Sequence, residues 1–311
     1  MKKYPLKISY AAKTALWAGK RLSEEYGKIS EHDRISETWE LSVRRDDEAV
    51  VLCGEAQGMK LSEYFDACGY ACVTPTYKKG DRFPLLIKLI DADDTLSVQV
   101  HPDDEYARVN EGEYGKTEMW YIVDALPGAQ LVYGFKDYDK ESFKQAVAEG
   151  TLEKHLNYVD VHKGDVFFIP SGCVHAIGAG ILIAEIQQSS NVTYRVYDYN
   201  RRGADGKLRP LHVEKALDVI VDYTEDQINA IRYEDGYNES YLANCKYFKV
   251  EHLFGSCTLN AERSFIHVLC LDGEGTIDGN TAQKGDSFFI PKGCENVVIE
   301  GNLEIITSES K

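Results

Sequence analysis

A chain of 311 residues with 43% hydrophobic composition can bury one large core or two modest ones. Acidic side chains outnumber basic ones by 51 to 35, a formal charge of −16, which argues against nucleic acid or anionic membrane as partners because either needs a basic face. An anionic substrate would need a local positive field built from a metal ion, Arg and Lys against that global sign.

The opening MKKYPLKISYAAK carries lysines without an apolar stretch of signal-peptide length behind them. No apolar run is long enough to span a bilayer, so the expected address is the cytoplasm. Helical spacing first shows around MKLSEYFDACG near residue 60, returns over Lys136–Leu156 and shows again over His212–Val221. From about Ile87 to Ile186 the chain is dominated by short segments rich in β-branched and aromatic residues, such as LPGAQLVYG, GDVFFIP and ILIAEIQ. Their spacing predicts an all-β sandwich or barrel, decorated by helices, rather than a βαβ array. The eight cysteines, Cys53, Cys68, Cys72, Cys173, Cys245, Cys257, Cys270 and Cys294, form no C-x-x-C pair. They read as reduced thiols packed as small hydrophobes.

An internal echo organises the chain. GDVFFIPSGCVHAI (Gly164–Ile177) recurs as GDSFFIPKGCENVV (Gly285–Val298), 121 residues later. Each copy reads as a Gly-Asp turn, a strand, a Pro-Gly turn and a second strand, so one β-roll unit is used twice. The shared glycines, prolines and phenylalanines are explained by fold. His175 is not, because Asn296 stands opposite it in the second copy. The first roll, residues 1–235, is therefore read as the active, metal-binding unit with helical decorations. Residues 236–311 are read as a metal-free roll with a structural or lidding role.

Candidate metal ligands gather in the first unit. In TLSVQVHPDDEYA, alternation sends Gln99 and His101 to one face of a strand and Val98 and Val100 to the other. Glu118 opens an otherwise apolar strand, where a carboxylate is costly to bury unless paired or bound to metal. With His175 these residues supply one amide, two imidazoles and one carboxylate, a set suited to a borderline divalent ion with room for a substrate oxygen. Spacing alone leaves open a non-haem iron site of the two-His-one-carboxylate type.

LSVQVHPDDEYA, GKTEMWYIV, GDVFFIPSGCVHAIG and NVTYRVYDYNRRG together resemble the type I phosphomannose isomerases in their short bacterial form. SETWELS (Ser36–Ser42) and ALWAG around Trp17 are similar to that family's opening, although Ser36 replaces the usual Gly. The resemblance covers most of Ala11 to about Val221, and the second roll more loosely. It implies a mainly β, cupin-type double jelly roll with a few decorating helices. It also implies one Zn2+ per chain held by Gln99, His101, Glu118 and His175, and a mannose 6-phosphate/fructose 6-phosphate pair as substrate. Monomer and homodimer both stay open.

That isomerisation moves a proton between C1 and C2 through an enediolate, so it needs an acid–base group, an oxyanion stabiliser and a grip on the phosphate. Arg195 matches the family's catalytic arginine; its permanent charge and planar fork suit an enediolate or phosphate oxygen rather than proton abstraction. Lys116, two residues before Glu118, is a candidate proton shuttle or phosphate contact. Ser97 matches a family serine near the substrate. Asp198 and Glu185 are further acid–base candidates, and Trp120, Tyr121, Tyr194, Tyr197 and Tyr199 are divided between sugar stacking and core packing. Two other readings remain: a cupin oxygenase or different sugar isomerase, and a non-catalytic sugar-phosphate-binding cupin.

Overall fold

The computed structural model describes residues 1–45, 47–203 and 206–311. Two strands show how the sequence sets the fold. Leu85–Ala92 (LLIKLIDA) and Ile181–Gln188 (ILIAEIQQ) are buried at every position. They pair antiparallel along their whole length, from Leu85 opposite Gln188 to Ala92 opposite Ile181. Strands buried on both faces belong at the centre of a sheet with a layer packed on each side. They are the middle of a six-stranded sheet in the spatial order Ala11–Lys13, Glu37–Leu41, Leu85–Ala92, Ile181–Gln188, Glu118–Ala125, Val166–Ile169. On one face Ile90, Trp120, Ile122 and Ile183 line the interior of the first roll. On the other, Leu89, Met119, Tyr121 and Leu182 enter a larger core shared with the second roll.

A five-stranded sheet closes the first roll, in the order Tyr194–Tyr197, Val98–Val100, His175–Ala176, Gln130–Phe135, Leu156–Asp160. Val98 and Val100 lie on its outer face, as alternation predicts. There helix Lys140–Glu149 covers them with Phe143 and Ala146, and helix Val213–Val219 with Ala216 and Leu217. The second roll has its own six-stranded sheet, Leu6–Ile8, Ser287–Ile290, Ile266–Asp272, Glu304–Ser310, Phe248–Phe254, Tyr241–Asn244. A four-stranded sheet faces it: Cys257–Leu259, Val297–Gly301, Glu274–Ile277, Asn280–Gln283. The first strand of the chain is sewn into this C-terminal sheet, with Leu6 opposite Phe289 and Ile8 opposite Ser287. The two six-stranded sheets pack back to back through the shared core, where the Phe83 and Phe265 rings lie 5.1 Å apart. All strand pairs are antiparallel, and the whole is the mainly β double jelly roll implied by the resemblance.

The helices are shorter than the periodicity suggests. Within Lys136–Leu156 the helix runs only from Lys140 to Glu149, started by Asp139 accepting from Ser142 N at 2.9 Å and stopped by Gly150 in the left-handed conformation. Leu156 already begins a strand. The segment near residue 60 is helical over Leu61–Cys68. Three further helices, Arg21–Glu24, Asp104–Asn110 and Glu225–Arg232, were not expected. The eight cysteines are free thiols. No helix among the described residues is long and apolar enough to cross a membrane.

Candidate metal centre and sugar pocket

The five-stranded sheet sets four residues in one row. Arg195 lies opposite Gln99, Gln99 opposite His175, and His175 opposite Tyr133. Directly opposed residues share a face, so Arg195, Gln99 and His175 all turn into the roll. From the facing sheet Glu118 arrives on an inward position of its strand, with Trp120 and Ile122 following at period two. His101, just past its strand, completes the group. Ligand atoms of His101, Glu118 and His175 all lie within 4.8 Å of one another, and all three residues are fully enclosed.

The histidines are oriented for ligation. Nδ1 of His101 is 2.8 Å from the Val192 carbonyl, and Nδ1 of His175 is 3.0 Å from the Cys173 carbonyl. Each carbonyl takes the Nδ1 proton, which leaves the Nε2 lone pair pointing inward. Nε2 of His175 stands 3.3 Å from Glu118 Oε1. Neither it nor the Glu118 oxygens make a well-aligned hydrogen bond to protein. Burial, reinforced by Lys116, holds His101 well below its ordinary pKa. Burial also takes His175 down to about 4, so both rings are neutral donors at pH 7. Burial first and Glu185 second push the Glu118 carboxyl up. Buried acceptors converging from two imidazoles and a carboxylate, with His175 Nε2 left without a donor, fit a divalent cation.

Lys116 provides positive charge at the same point. Its Nζ is 2.8 Å from Glu118 Oε2 and 3.2 Å from His101 Nε2. It precedes the Glu118–Ala125 strand rather than lying in it. The amide of Gln99 makes no hydrogen bond among the described residues, and its backbone sits between His175 and Arg195. Arg195 Nε donates to Ser97 Oγ at 3.3 Å and Nη1 to the Pro210 carbonyl at 3.0 Å. Asp198 is committed elsewhere: it accepts from Arg201 Nη2 at 2.7 Å and from Arg209 Nε at 2.7 Å. Although its burial acts the other way, these two guanidinium groups keep it low and ionised. Asp198 therefore assembles an arginine cluster beside Arg195 rather than carrying protons.

In the other half of the interior, sequence reasoning named Glu185 and Trp120 singly but missed Lys88, Trp39 and the row they form. Across the six-stranded sheet Trp39, Lys88, Glu185 and Trp120 stand in one row. Lys88 Nζ is 2.9 Å from Glu185 Oε1 and 3.6 Å from Glu37 Oε2, while Trp120 Nε1 donates to Glu185 Oε2 at 3.0 Å. Burial alone would raise Glu185, but Lys88 and Lys116 overcome it and hold the carboxylate ionised. A lone Lys inside LLIKLIDA was the available signal, of the same kind that exposed Glu118. The aromatic residues separate: Trp120 packs edge-on against His175 at 5.2 Å, whereas Tyr121 faces the core between the rolls and Tyr194 the outer face.

With this geometry in place, comparison with known proteins is informative. Residues 7–125 match the model of the phosphomannose isomerase type I catalytic domain, and residues 238–310 that of the mannose-6-phosphate isomerase cupin domain. The chain is 38% identical over 313 residues to mannose-6-phosphate isomerase ManA of Bacillus subtilis (strain 168), covering 98% of each. It belongs to the type I mannose-6-phosphate isomerases. A Streptococcus mutans mannose-6-phosphate isomerase is 36% identical to this family member, again over 98% of both chains. The crystal structure of the mannose 6-phosphate isomerase from Bacillus subtilis superposes with a TM-score of 0.87 at 31% identity, covering 99% of this chain and all of that one.

Proposed function

We propose that this member of the family interconverts mannose 6-phosphate and fructose 6-phosphate, with zinc held by Gln99, His101, Glu118 and His175. The observation that carries the reading is the enclosed His101–Glu118–His175 trio, with His175 Nε2 making no hydrogen bond and His175 in one row with Gln99 and Arg195. A bound zinc ion would supply Lewis acidity for the negative charge that develops on the sugar oxygens, without redox chemistry. The protein's own groups do the rest. Lys116 Nζ, placed between Glu118 and His101, carries the proton between C1 and C2 through an enediolate, accepting it as the neutral amine and returning it from the ammonium so formed. Arg195 stabilises the anion, oriented by Ser97 and by the Pro210 carbonyl. Arg201 and Arg209, fixed by Asp198, add the local positive field that a phosphate needs in so acidic a chain.

The test is isomerisation of mannose 6-phosphate by one sample before chelation, after chelation and after zinc is restored, with metal content measured at each stage. Activity lost and regained in step with bound zinc is the expected result. No turnover by the fully loaded protein would overturn the substrate assignment, and oxygen uptake by the iron-loaded protein would move the reading to an oxygenase.

A further inference from the structure

We propose that Trp39 is a substrate-binding residue whose indole N–H donates a hydrogen bond to a hydroxyl of the bound sugar phosphate, away from the carbons that exchange the proton. The case rests on a contrast within one row. Trp39, Lys88, Glu185 and Trp120 are directly opposed across neighbouring strands and share the inward face of the sheet. Trp120 gives its N–H to Glu185. Trp39 is only 7% exposed, yet its Nε1 has no acceptor among the described residues.

A buried indole N–H is expected to have a partner, and a tryptophan inside a binding pocket offers its ring to apolar carbon and its N–H to a polar group. The surroundings define that group. Lys13 and Lys88 place their ammonium groups 5.0 and 5.8 Å from the ring centroid, and each is already paired, with Asp47 and with Glu185. These cations fix the ring without competing for its N–H. Arg195 lies on the opposite sheet, with Arg201 and Arg209 in the same cluster, so the phosphate belongs at that side of the roll. A neutral hydroxyl of the sugar chain is the acceptor left for Trp39.

Resting on the sugar-phosphate reading above, the inference is tested with Trp39→Phe, which keeps an aromatic ring and removes the donor. Wild-type turnover of mannose 6-phosphate is measured first; if it is absent, the isomerase reading fails before this one is reached. Given turnover, Trp39→Phe should lower kcat/KM about 10-fold, the scale of one hydrogen bond, with metal content and melting temperature held. Either 3-deoxy- or 4-deoxymannose 6-phosphate should be a poorer substrate for wild type by a similar factor, and that penalty should vanish in Trp39→Phe. Unchanged kinetics in the variant, or the same deoxy penalty in both proteins, overturns the proposal.

A second measurement does not depend on that variant folding. The chain has three tryptophans, Trp17, Trp39 and Trp120, and so three indole N–H signals in 15N-labelled protein. Trp39's is the one present in both Trp17→Phe and Trp120→Phe. It should move downfield when 1,5-anhydromannitol 6-phosphate, which cannot isomerise, is added; a signal that stays in place under saturation contradicts the assignment.

Discussion

In the first roll Gly164 N donates to the Ile122 carbonyl and Ile122 N to that of Asp165; in the second, Gly285 does the same with Cys270, and Cys270 with Asp286. Glu118 lies opposite Ile169, and Ile266 opposite Ile290. Gly172 donates to the His101 carbonyl, and Gly293 to that of Ala261. The two frames thus correspond bond for bond, and the correspondence puts Ala261 at the place of His101, Ile266 at that of Glu118 and Asn296 at that of His175. Ala261 and Ile266 belong to an apolar core closed by Val268, Phe288 and Ile290. The frame tolerates either filling. A buried carboxylate and two imidazoles need partners: Lys116 meets Glu118 and His101, His175 Nε2 has none, and a cation held among them would offset the remaining cost. Hydrocarbon has no such cost, and the roll without ligands has filled with it.

The comparison breaks most sharply at His175. Replacing it with the second roll's residue, His175→Asn, should remove bound zinc and lower activity by more than about 100-fold, the range in which even groups behind metal ligands act. Metal analysis and kinetics on the same sample read both effects, and a variant retaining one equivalent of zinc would show that His175 is not a ligand. The reverse change should install nothing. Asn296 has φ 55°, and its N–H is taken by Asn260 Oδ1 at 2.7 Å, whereas His175 lies in a strand. Asn296→His should therefore leave the second roll without metal.

The rim gives the next effect. From Tyr241 onward the chain has one arginine, Arg263, whereas the first roll brings Arg195, Arg201 and Arg209 together. Arg195→Lys keeps the charge and loses the fork, so kcat/KM should fall about 10-fold or more. Steady-state kinetics would sharpen the role. A rise in KM alone marks a grip on the phosphate, and an equal fall in kcat and kcat/KM marks stabilisation of the developing anion.

How far the site was legible follows from which contacts are local. Alternation over Val98–Val100, a carboxylate at the head of an apolar strand and the His175/Asn296 mismatch can be read from neighbouring residues or from the repeat, and they led to Gln99, His101, Glu118 and His175. Lys88, Glu185 and Trp39 meet only through the register of strands far apart in sequence, which periodicity does not carry. The helix Asp104–Asn110 went unread because only the strand part of TLSVQVHPDDEYA was interpreted. Pro102 and Asp103 mark its start, and Asp103 caps it by accepting from Tyr106 N at 2.8 Å. Asp198 looked like an acid–base group because sequence does not show that two arginines already hold it.

Acid should find the second roll through His267. This residue is fully buried, and burial, only partly opposed by the Glu40 backbone, takes its pKa down from 6.5 to about 3. Between those values the unfolded chain binds a proton that the folded chain refuses, so stability is full above 6.5 and declines as pH falls toward 3. The loss from this one group is about 3–5 kcal/mol over that window. Urea unfolding at a series of pH values, compared with His267→Phe, should show one proton's worth of slope removed. An unchanged slope would mean that the histidine protonates without unfolding the roll.

The smallest effect separates the two turns of the repeat. Gly164 and Gly285 have nearly the same backbone, φ 93° and 86°. A Cβ on Gly164 would meet nothing within 4 Å, but one on Gly285 would lie 2.5 Å from the Tyr26 carbonyl oxygen. Gly164→Ala should therefore cost only the strain of a left-handed alanine, about 1 kcal/mol. Gly285→Ala adds a collision with backbone. It also disturbs the Gly285 carbonyl that receives Lys28 Nζ at 2.6 Å, and Lys28 is itself paired with buried Glu40 at 2.6 Å. About 2–4 kcal/mol is expected there. Urea midpoints of the two variants measure the difference. Equal losses would mean that the segment holding Tyr26 and Lys28 gives way easily, and that the second roll's turn is held by its own strands, as the first roll's is.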